Sequence, residues 1–306
     1  MRILIVIVGP TAVGKTETAI HLAERIGGEI VSADSRQIYR YMDIGTAKPS
    51  VEQRARVPHY LIDVVDPDEV FSLAQYQAAA YAAIDDVFTR GRQPLLVGGT
   101  GLYVKAVSEG LLIPDVPPDP ALRAELEARA ERDGKTALHA ELKQIDPAAA
   151  ARIDPRNVRR TIRALEVYRI SGGRFSEMGR MRPPPYRILT FGLSLPRPDL
   201  YARIDARIDA MMAAGLIDET RRLAEHYDGS LPSMSGLGYK QIGQYLRGEC
   251  SKADAIAATR RDTRRLVRRQ ANWFRPSDPR IHWLDASAEV DSEILANLHR
   301  TLDGVE

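Results

Sequence analysis

The segment from residue 2 to residue 16 constrains the fold more than any other part of the chain. Residues 3–8, ILIVIV, form an unbroken apolar run. That is the pattern of a strand covered on both faces, and hence of a parallel sheet flanked by helices. GPTAVGKT follows at residues 9–16. It fits G-x-x-x-x-G-K-[ST], a loop whose glycines let backbone N–H groups turn inward onto phosphate oxygens. A helical pattern over 17–26 puts a helix N-terminus behind the loop, which adds its dipole to the anion site. Gly9, Pro10, Thr11, Ala12, Val13, Gly14, Lys15 and Thr16 are therefore the expected polyphosphate cradle, a motif most often used for nucleotide (ATP) binding. Lys15 supplies a point charge on the phosphates, and the Thr16 hydroxyl is the expected ligand of a phosphate-bound Mg²⁺.

The alternation continues. Strands are predicted over 29–32, 60–65 and 94–97, with helices over 73–90 and after GGTGLY (98–103). This predicts an α/β fold, a P-loop NTPase-like parallel sheet core. Composition shifts at IPDVPPDP (113–120), and residues 114–186 read as all-helical: 120–133, 136–142, 147–153 and 155–171, closed by Pro183, Pro184 and Pro185. A strand follows over 186–195, and from 198 the chain reads as helical almost to its end. The expected organisation is a core of 1–113 and 187–306 ending in C-terminal helices, with 114–186 as an inserted helical domain. With 44% hydrophobic and 27% charged residues and one cysteine, the chain is neither a disordered protein nor a disulfide scaffold. The run at 3–8 is too short for a membrane span or a signal peptide. A cytoplasmic protein with no membrane association and no obligate protein partner is expected.

Asp34 and Ser35 follow the second strand, at the end of a parallel sheet where ligands collect. A carboxylate there can accept a proton from a nucleophile; capping a turn is the alternative role. YLIDVVDP carries Asp63 and Asp66, but neither ends an uninterrupted apolar run as the Mg²⁺-binding Asp of a nucleotide hydrolase does. A small-molecule or nucleoside kinase stays open on these residues, as does an RNA-binding protein that keeps a structural phosphate loop.

Seven segments appear in one order: GPTAVGKT, SADSRQIY with MDIGTAKP, PHYLIDVVDP, LLVGGTGLY, RALEVYRISG, GLGYKQI and RRQANWFR. Together they resemble the tRNA dimethylallyltransferases (tRNA isopentenyltransferases) over nearly the whole chain. The resemblance implies transfer of a dimethylallyl group from dimethylallyl diphosphate to the exocyclic amine of the adenine 3′-adjacent to the anticodon, with release of diphosphate. It implies that Asp34 binds that amine and takes its proton, and that Thr100 contacts the adenosine. Arg203, in YARIDARID, is implied to join Lys15 on the diphosphate; Arg207, one turn on, is the alternative, and both can instead belong to a solvated helix with ion pairs to Asp205 and Asp209. The tRNA contacts carried over are Asp34, Ser35, Arg36, Gln37, Thr100, Arg123, Arg159, Arg160, Thr161, Ile162, Arg163, Gly236, Gly238, Tyr239 and Lys240. Arg36 occupies a position that the family motif does not fix. No Cys/His zinc set follows the core, as in the compact bacterial form.

Charge distribution supports an RNA partner independently. Lys+Arg 43 against Asp+Glu 41 leaves a formal +2, yet only Lys15, Lys48, Lys105, Lys135, Lys143, Lys240 and Lys252 are lysines. The remaining cations are arginines, the planar fork that suits phosphates and stacks on bases. Arg156, Arg159, Arg160 and Arg163 fall within a helical arc of about 100°. Arg260, Arg261, Arg264, Arg265, Arg268 and Arg269 spread over one side of a second helix, interrupted by Asp262. The expected partner is the tRNA anticodon stem-loop, gripped by the insert and the C-terminal helices, with the target adenine drawn out of its stack.

Overall fold

The computed structural model describes residues 2–114, 116–177, 181–286 and 290–302; Asp115, in the proline-rich stretch at 113–120, lies outside them. One sheet contains β1 (Ile3–Val8), β2 (Gly28–Ser32), β3 (His59–Tyr60), β4 (Gln93–Gly98), β5 (Arg187–Ser194) and β6 (Ile281–Asp285). The order is β3-β2-β4-β1-β5-β6, and every pair is parallel. Helices α1 (Lys15–Ile26), α2 (Val51–Arg56), α3 (Leu73–Thr89) and α4 (Gly101–Ser108) alternate with the first four strands. Then come α5 (Pro120–Arg132), α6 (Lys135–Ile145), α7 (Pro147–Arg152) and α8 (Val158–Ser171). After β5 the chain forms α9 (Arg197–Ala213), α10 (Leu216–His226), α11 (Tyr239–Leu246), α12 (Lys252–Gln270) and, beyond β6, α13 (Val290–Leu302).

Every residue of β1 is buried, as its unbroken apolar run requires. Successive side chains point to opposite faces of a strand. Ile3, Ile5 and Ile7 pack with Ile20 of α1, Ile204 of α9 and Ile294 of α13. Leu4, Val6 and Val8 pack with Ile84 of α3, Val104 of α4 and Ile242 of α11. The result is a three-layer α/β core whose central strand delivers the phosphate loop to the middle of the sheet edge.

The chain divides into two compact units, Met1–Ser108 with Pro184–Glu306, and Glu109–Pro183. The second has its own core, which includes Leu126, Leu138, Leu142, Ile162 and Leu165. Its polar centre is Glu166, whose side chain is fully buried. The carboxylate accepts bonds from the Asp119 N–H (2.8 Å), from Arg123 Nε (2.8 Å) and from Arg163 Nη1 (2.5 Å). Burial pushes this carboxyl up, but the two guanidiniums outweigh burial and hold it below its ordinary range.

Several elements differ from the sequence expectation. The 60–65 strand stops after Tyr60 because Leu61 and Asp63 take φ of 61° and 57°. Instead Val64 donates to the Ile38 carbonyl (2.7 Å), and the segment backs the Asp34 loop. Helix α8 starts at Val158, three residues later than expected, because the Asn157 side chain caps it by accepting from the Arg160 N–H. The expectation of helix almost to the end misses β6, an edge strand whose Trp283 closes over Gly192 of β5: a Cβ on that glycine would stand 2.7 Å from the indole.

Glu166 gives the first prediction. Its folded pKa is depressed, so its contribution is present above the unfolded value of about 4.3 and is lost as pH falls through the folded pKa. Glu166→Gln should destabilise the protein by about 2–3 kcal/mol at pH 7, allowing for the partial exposure of both arginines. It should also flatten the stability loss below about pH 4. Chemical denaturation across pH checks both, and an unchanged pH profile in the variant would remove Glu166 as the source.

Candidate active site

Three strand ends converge. After β1, Gly9 adopts φ 148°, and a Cβ there would stand 2.7 Å from the Leu193 carbonyl oxygen, so the loop can leave the sheet this closely only with glycine. Gly14 (φ 113°) is the N-cap of α1 and contributes no side-chain cap, which leaves the first N–H groups of the helix for a ligand. The Lys15 ammonium curls across the loop and donates to the carbonyls of Gly9 (3.1 Å) and Pro10 (2.7 Å). Burial lowers its pKa to about 8, against an upward pull from Asp34 and a further downward push from Arg207. A desolvated ammonium of this kind gains from any anion that reaches it.

Asp34 leaves β2 beside this loop. Its Oδ1 accepts from the Arg36 N–H (2.8 Å), a turn that fixes the carboxylate, and among the described residues no donor reaches Oδ2. Turn-capping and proton acceptance are thus compatible in one side chain. Thr100, at the end of β4, accepts from the Ser35 N–H through Oγ1 (3.0 Å), and its carbonyl accepts the first helical N–H groups of α4. Thr100 therefore ties the Asp34 loop to the start of α4 instead of capping that helix with its hydroxyl.

These loops line one cavity of about 620 Å³, within the range of small-molecule sites. Thr11, Asp34, Ser35, Arg36, Thr100, Arg207, Tyr239, Lys240 and Gln270 are all in its wall. Arg203 Nη1 donates to the Val13 carbonyl of the phosphate loop (3.2 Å). Arg207 is half-buried in the cavity wall, where desolvation lowers its pKa and Asp34 opposes that. Both sequence alternatives therefore face the phosphate loop. Among the described residues neither arginine pairs with an acid of its own helix; Asp209 and Asp205 bind Arg260 and Arg264 of α12 instead, each at 2.5 Å.

Two positioning residues were not singled out from the sequence. Gln270, in RRQANWFR, accepts from the Thr11 N–H (2.9 Å) and donates to the Gly99 carbonyl (3.1 Å), so it spans the phosphate loop and the GGTG loop. Glu219 of α10 is buried and accepts from the N–H groups of Asp43, Ile44 and Gly45 and from the Tyr239 hydroxyl (2.6 Å). The available signal was a polar residue on the otherwise apolar side of a helix. Tyr239 in turn covers Gly45, where a Cβ would stand 2.5 Å from the ring.

The positions expected to contact tRNA divide by their surroundings. Arg36 donates to the Pro232 carbonyl (2.7 Å) and reaches Ser235 Oγ (3.3 Å), which links the Asp34 loop to the segment before Gly236 and Gly238. Gln37 braces its own loop through the Ala47 carbonyl (3.2 Å). Lys240 is exposed at the cavity. Arg123, Arg159, Arg160, Thr161, Ile162 and Arg163 belong to the helical unit. There Thr161 and Ile162 are buried, and Arg123 and Arg163 are bound to Glu166. Arg159 and Arg160 are exposed, and among the described residues no acid pairs with them. On α12, Arg261 and Arg265 pair with Asp262, while Arg269 has no described acid partner.

Asp63 is held by Lys48 Nζ (2.6 Å) and Arg54 Nη1 (2.8 Å), and Asp66 by Arg40 (3.0 Å). Neither is available as the Mg²⁺ carboxylate of a kinase or hydrolase. Among the described residues no cluster of three or more His, Cys, Asp and Glu side chains could hold a metal. Thr16 borders a small, mainly apolar cavity that Ser32, Gln37 and His59 share with Ala19, Ile30, Pro49, Ile62 and Val97. Beyond the Thr16 hydroxyl, the ligands of a Mg²⁺ here would have to come from a polyphosphate and water.

The family model described as IPP transferase matches residues 37–277. A tRNA dimethylallyltransferase of Roseiflexus castenholzii is 58% identical over 286 residues, covering 93% of each chain. The full-length tRNA isopentenylpyrophosphate transferase of Bacillus halodurans is 43% identical, with a TM-score of 0.72, over 100% of this chain and 97% of that one. A eukaryotic dimethylallyltransferase acting on tRNA shares the fold at 24% identity, with a TM-score of 0.83, over 100% of this chain and 81% of that one. With the family model matching most of the chain and close relatives aligned over nearly all of it, this chain belongs to the tRNA dimethylallyltransferase (IPP transferase) family.

Proposed function

We propose that this chain transfers the dimethylallyl group of dimethylallyl diphosphate to the exocyclic amine of the adenine 3′-adjacent to the anticodon in tRNA, releasing diphosphate. The observation that carries the reading is one cavity whose wall brings Asp34 and Arg207 together with Thr11 and Ala12 of the phosphate loop, with Lys15 close enough to feel the charge of both Asp34 and Arg207. A phosphoryl-transfer site would need a Mg²⁺ carboxylate, and Asp63 and Asp66 are both engaged in ion pairs.

In the reaction a bond forms between the amine nitrogen and the allylic carbon. The carbon–oxygen bond to diphosphate breaks, and its electron pair leaves with the diphosphate. Negative charge therefore grows on the leaving oxygen, where the loop N–H groups, Lys15, Arg203 and Arg207 act as preorganised donors and charges. The adenine amine is a poor nucleophile because its lone pair is delocalised into the ring. A hydrogen bond to Asp34 Oδ2 localises that density as the new bond forms, and the amine proton passes to the carboxylate and then to solvent. Thr100 holds the Asp34 loop and the adenosine side of the cavity in register. The Thr16 hydroxyl is the residue that would hold a diphosphate-bound Mg²⁺, which would supply further neutralisation of the leaving group. The exposed Arg159, Arg160, Arg269 and Lys240 are the side chains we assign to tRNA phosphates, with the anticodon stem-loop as the element bound.

The direct test is mass analysis of nucleosides from unmodified tRNA incubated with the enzyme, dimethylallyl diphosphate and Mg²⁺. The expected product is a five-carbon addition on the adenine next to the anticodon. Unmodified adenine, together with ATP turnover in the absence of tRNA, would contradict the reading and favour a kinase. Asp34→Asn should lower kcat by roughly 10²–10⁴ while leaving tRNA affinity within a few-fold, as read by single-turnover kinetics and filter binding; near-normal turnover would end the proton-acceptor role. The logarithm of tRNA affinity should fall steeply with the logarithm of salt concentration, and Arg159→Ala with Arg160→Ala should lower the slope by about 1.5. A slope near zero in the wild type would contradict the phosphate contacts.

A further inference from the structure

Helix α9 turns one face to the cavity that contains Asp34, and the chemistry of that face changes along the helix. Ile204, Arg207, Ile208 and Met211 all line the cavity. At 100° per residue they fall within a helical arc of about 100°. Arg203, one turn before Arg207, is anchored on the Val13 carbonyl of the phosphate loop (3.2 Å). Met211 stands one turn beyond Arg207, about 6 Å further along the axis. The row Arg203, Arg207, Met211 therefore leads from the phosphate-loop contact through two cations to a thioether. Ile204 and Ile208 are 1% and 3% exposed, so they back the wall and offer it little surface. Met211 is only half-buried, as are Leu237 and Leu266, which line the same cavity. Elsewhere the wall is rich in hydroxyls, amides and charges, among them Thr11, Ser35, Thr100, Asp262 and Gln270. An incompletely covered apolar side chain one turn from a phosphate-binding guanidinium is a place for a hydrocarbon.

We infer that Met211 is a specificity-determining residue that limits the prenyl donor to a single five-carbon unit. With the diphosphate on the phosphate loop, Arg203 and Arg207, the hydrocarbon of the donor gains only where it covers apolar surface. Met211 supplies that surface on the face that also presents Arg207. The turn that separates the two residues is about the reach of one isoprene unit. A dimethylallyl group ends against the thioether, whereas a second isoprene unit would need the volume that the methionine fills. Methionine suits the task, because its unbranched, polarizable chain adapts to the branched end of the group. Its packing against the buried cluster that includes Leu216 and Tyr239 keeps it from swinging out of the way. A base of the RNA is the competing occupant. Its polar edges would find no partners on Met211, Leu237 and Leu266, and unpaired edges are costly to bury. The inference rests on the reading that this enzyme takes a prenyl diphosphate as donor.

Calorimetric titration without tRNA tests it in the absence of turnover. Dimethylallyl diphosphate and its ten-carbon homologue, geranyl diphosphate, carry the same head group. The ratio of their dissociation constants therefore cancels any general loss of fold or of diphosphate affinity. The wild type should favour dimethylallyl diphosphate by about tenfold to a hundredfold. Met211→Ala should move the ratio towards geranyl diphosphate by about tenfold or more. Met211→Phe, which adds bulk at the same point, should weaken dimethylallyl diphosphate itself by about tenfold. Met212→Ala removes the neighbouring methionine, which is not in the cavity wall, and should leave the ratio unchanged. A wild type that binds both donors equally, an unchanged ratio in Met211→Ala, or an equal shift in Met212→Ala would each overturn the inference while the transfer reading stands. If the ratio shifts as expected but the nucleoside assay finds no modified adenine, the donor subsite stands and the transfer reading fails. If neither diphosphate binds the wild type, the prenyl-donor reading fails and this inference falls with it.

Discussion

Lys15 is an ammonium held away from water by two backbone carbonyls, Gly9 and Pro10, with Asp34 as the carboxylate that raises its pKa. Arg203 and Arg207 add two guanidiniums to the same loop. The site therefore carries an excess of positive charge, desolvated at Lys15 and Arg207, that a bound polyanion would neutralise. The arrangement depends on the buried central strand. Because β1 is covered on both faces, its loop emerges between the ends of β4 and β5, where β2 can also deliver Asp34. The asymmetry between several cations and one carboxylate suits a reaction that ends with an anionic leaving group.

The rest of the catalytic unit keeps flexible loops in register around that charge. Glycine-rich segments make close approaches, and each is matched by a bulky partner from a later motif: Gly45 by Tyr239, Gly99 by Gln270 and Gly101 by Trp273. Buried or engaged charges act as struts. Glu219 gathers three consecutive N–H groups of the 43–45 turn, and Lys48 joins Asp43, Asp63 and the Tyr39 carbonyl. Removing one partner of such a group leaves an unpaired buried charge, which costs more than the interaction itself contributed. That cost explains why segments far apart in sequence are tied to one another as well as to the cavity.

The legible parts were those governed by local pattern. The apolar run of β1, the glycine spacing of the phosphate loop and the position of Asp34 at a strand end are visible residue by residue. So are most of the helices between 120 and 171, which are bounded by prolines and caps. What stayed hidden depends on tertiary partners. Gln270 reads as one more polar residue in an arginine-rich helix, and only the fold brings it to Thr11 and Gly99. The strand β6 is short and lies at the sheet edge, so its alternation is weak against the helical pattern around it. The α12 wheel showed six arginines on one side, but a wheel of one helix cannot show that Asp205 and Asp209 of α9 neutralise Arg260 and Arg264.

The central claim is that Lys15 is an under-charged cation completed by the diphosphate of the substrate. Its pKa of about 8 in the free enzyme means that it is mostly neutral at pH 9 and must regain a proton when it meets a fully ionised diphosphate. Calorimetric titration with dimethylallyl diphosphate at pH 9, in buffers of different ionisation enthalpy, measures that proton directly. The account predicts uptake approaching one proton at pH 9, little at pH 7, and none at either pH in Lys15→Met. Binding of equal strength with no proton uptake at pH 9 would contradict it.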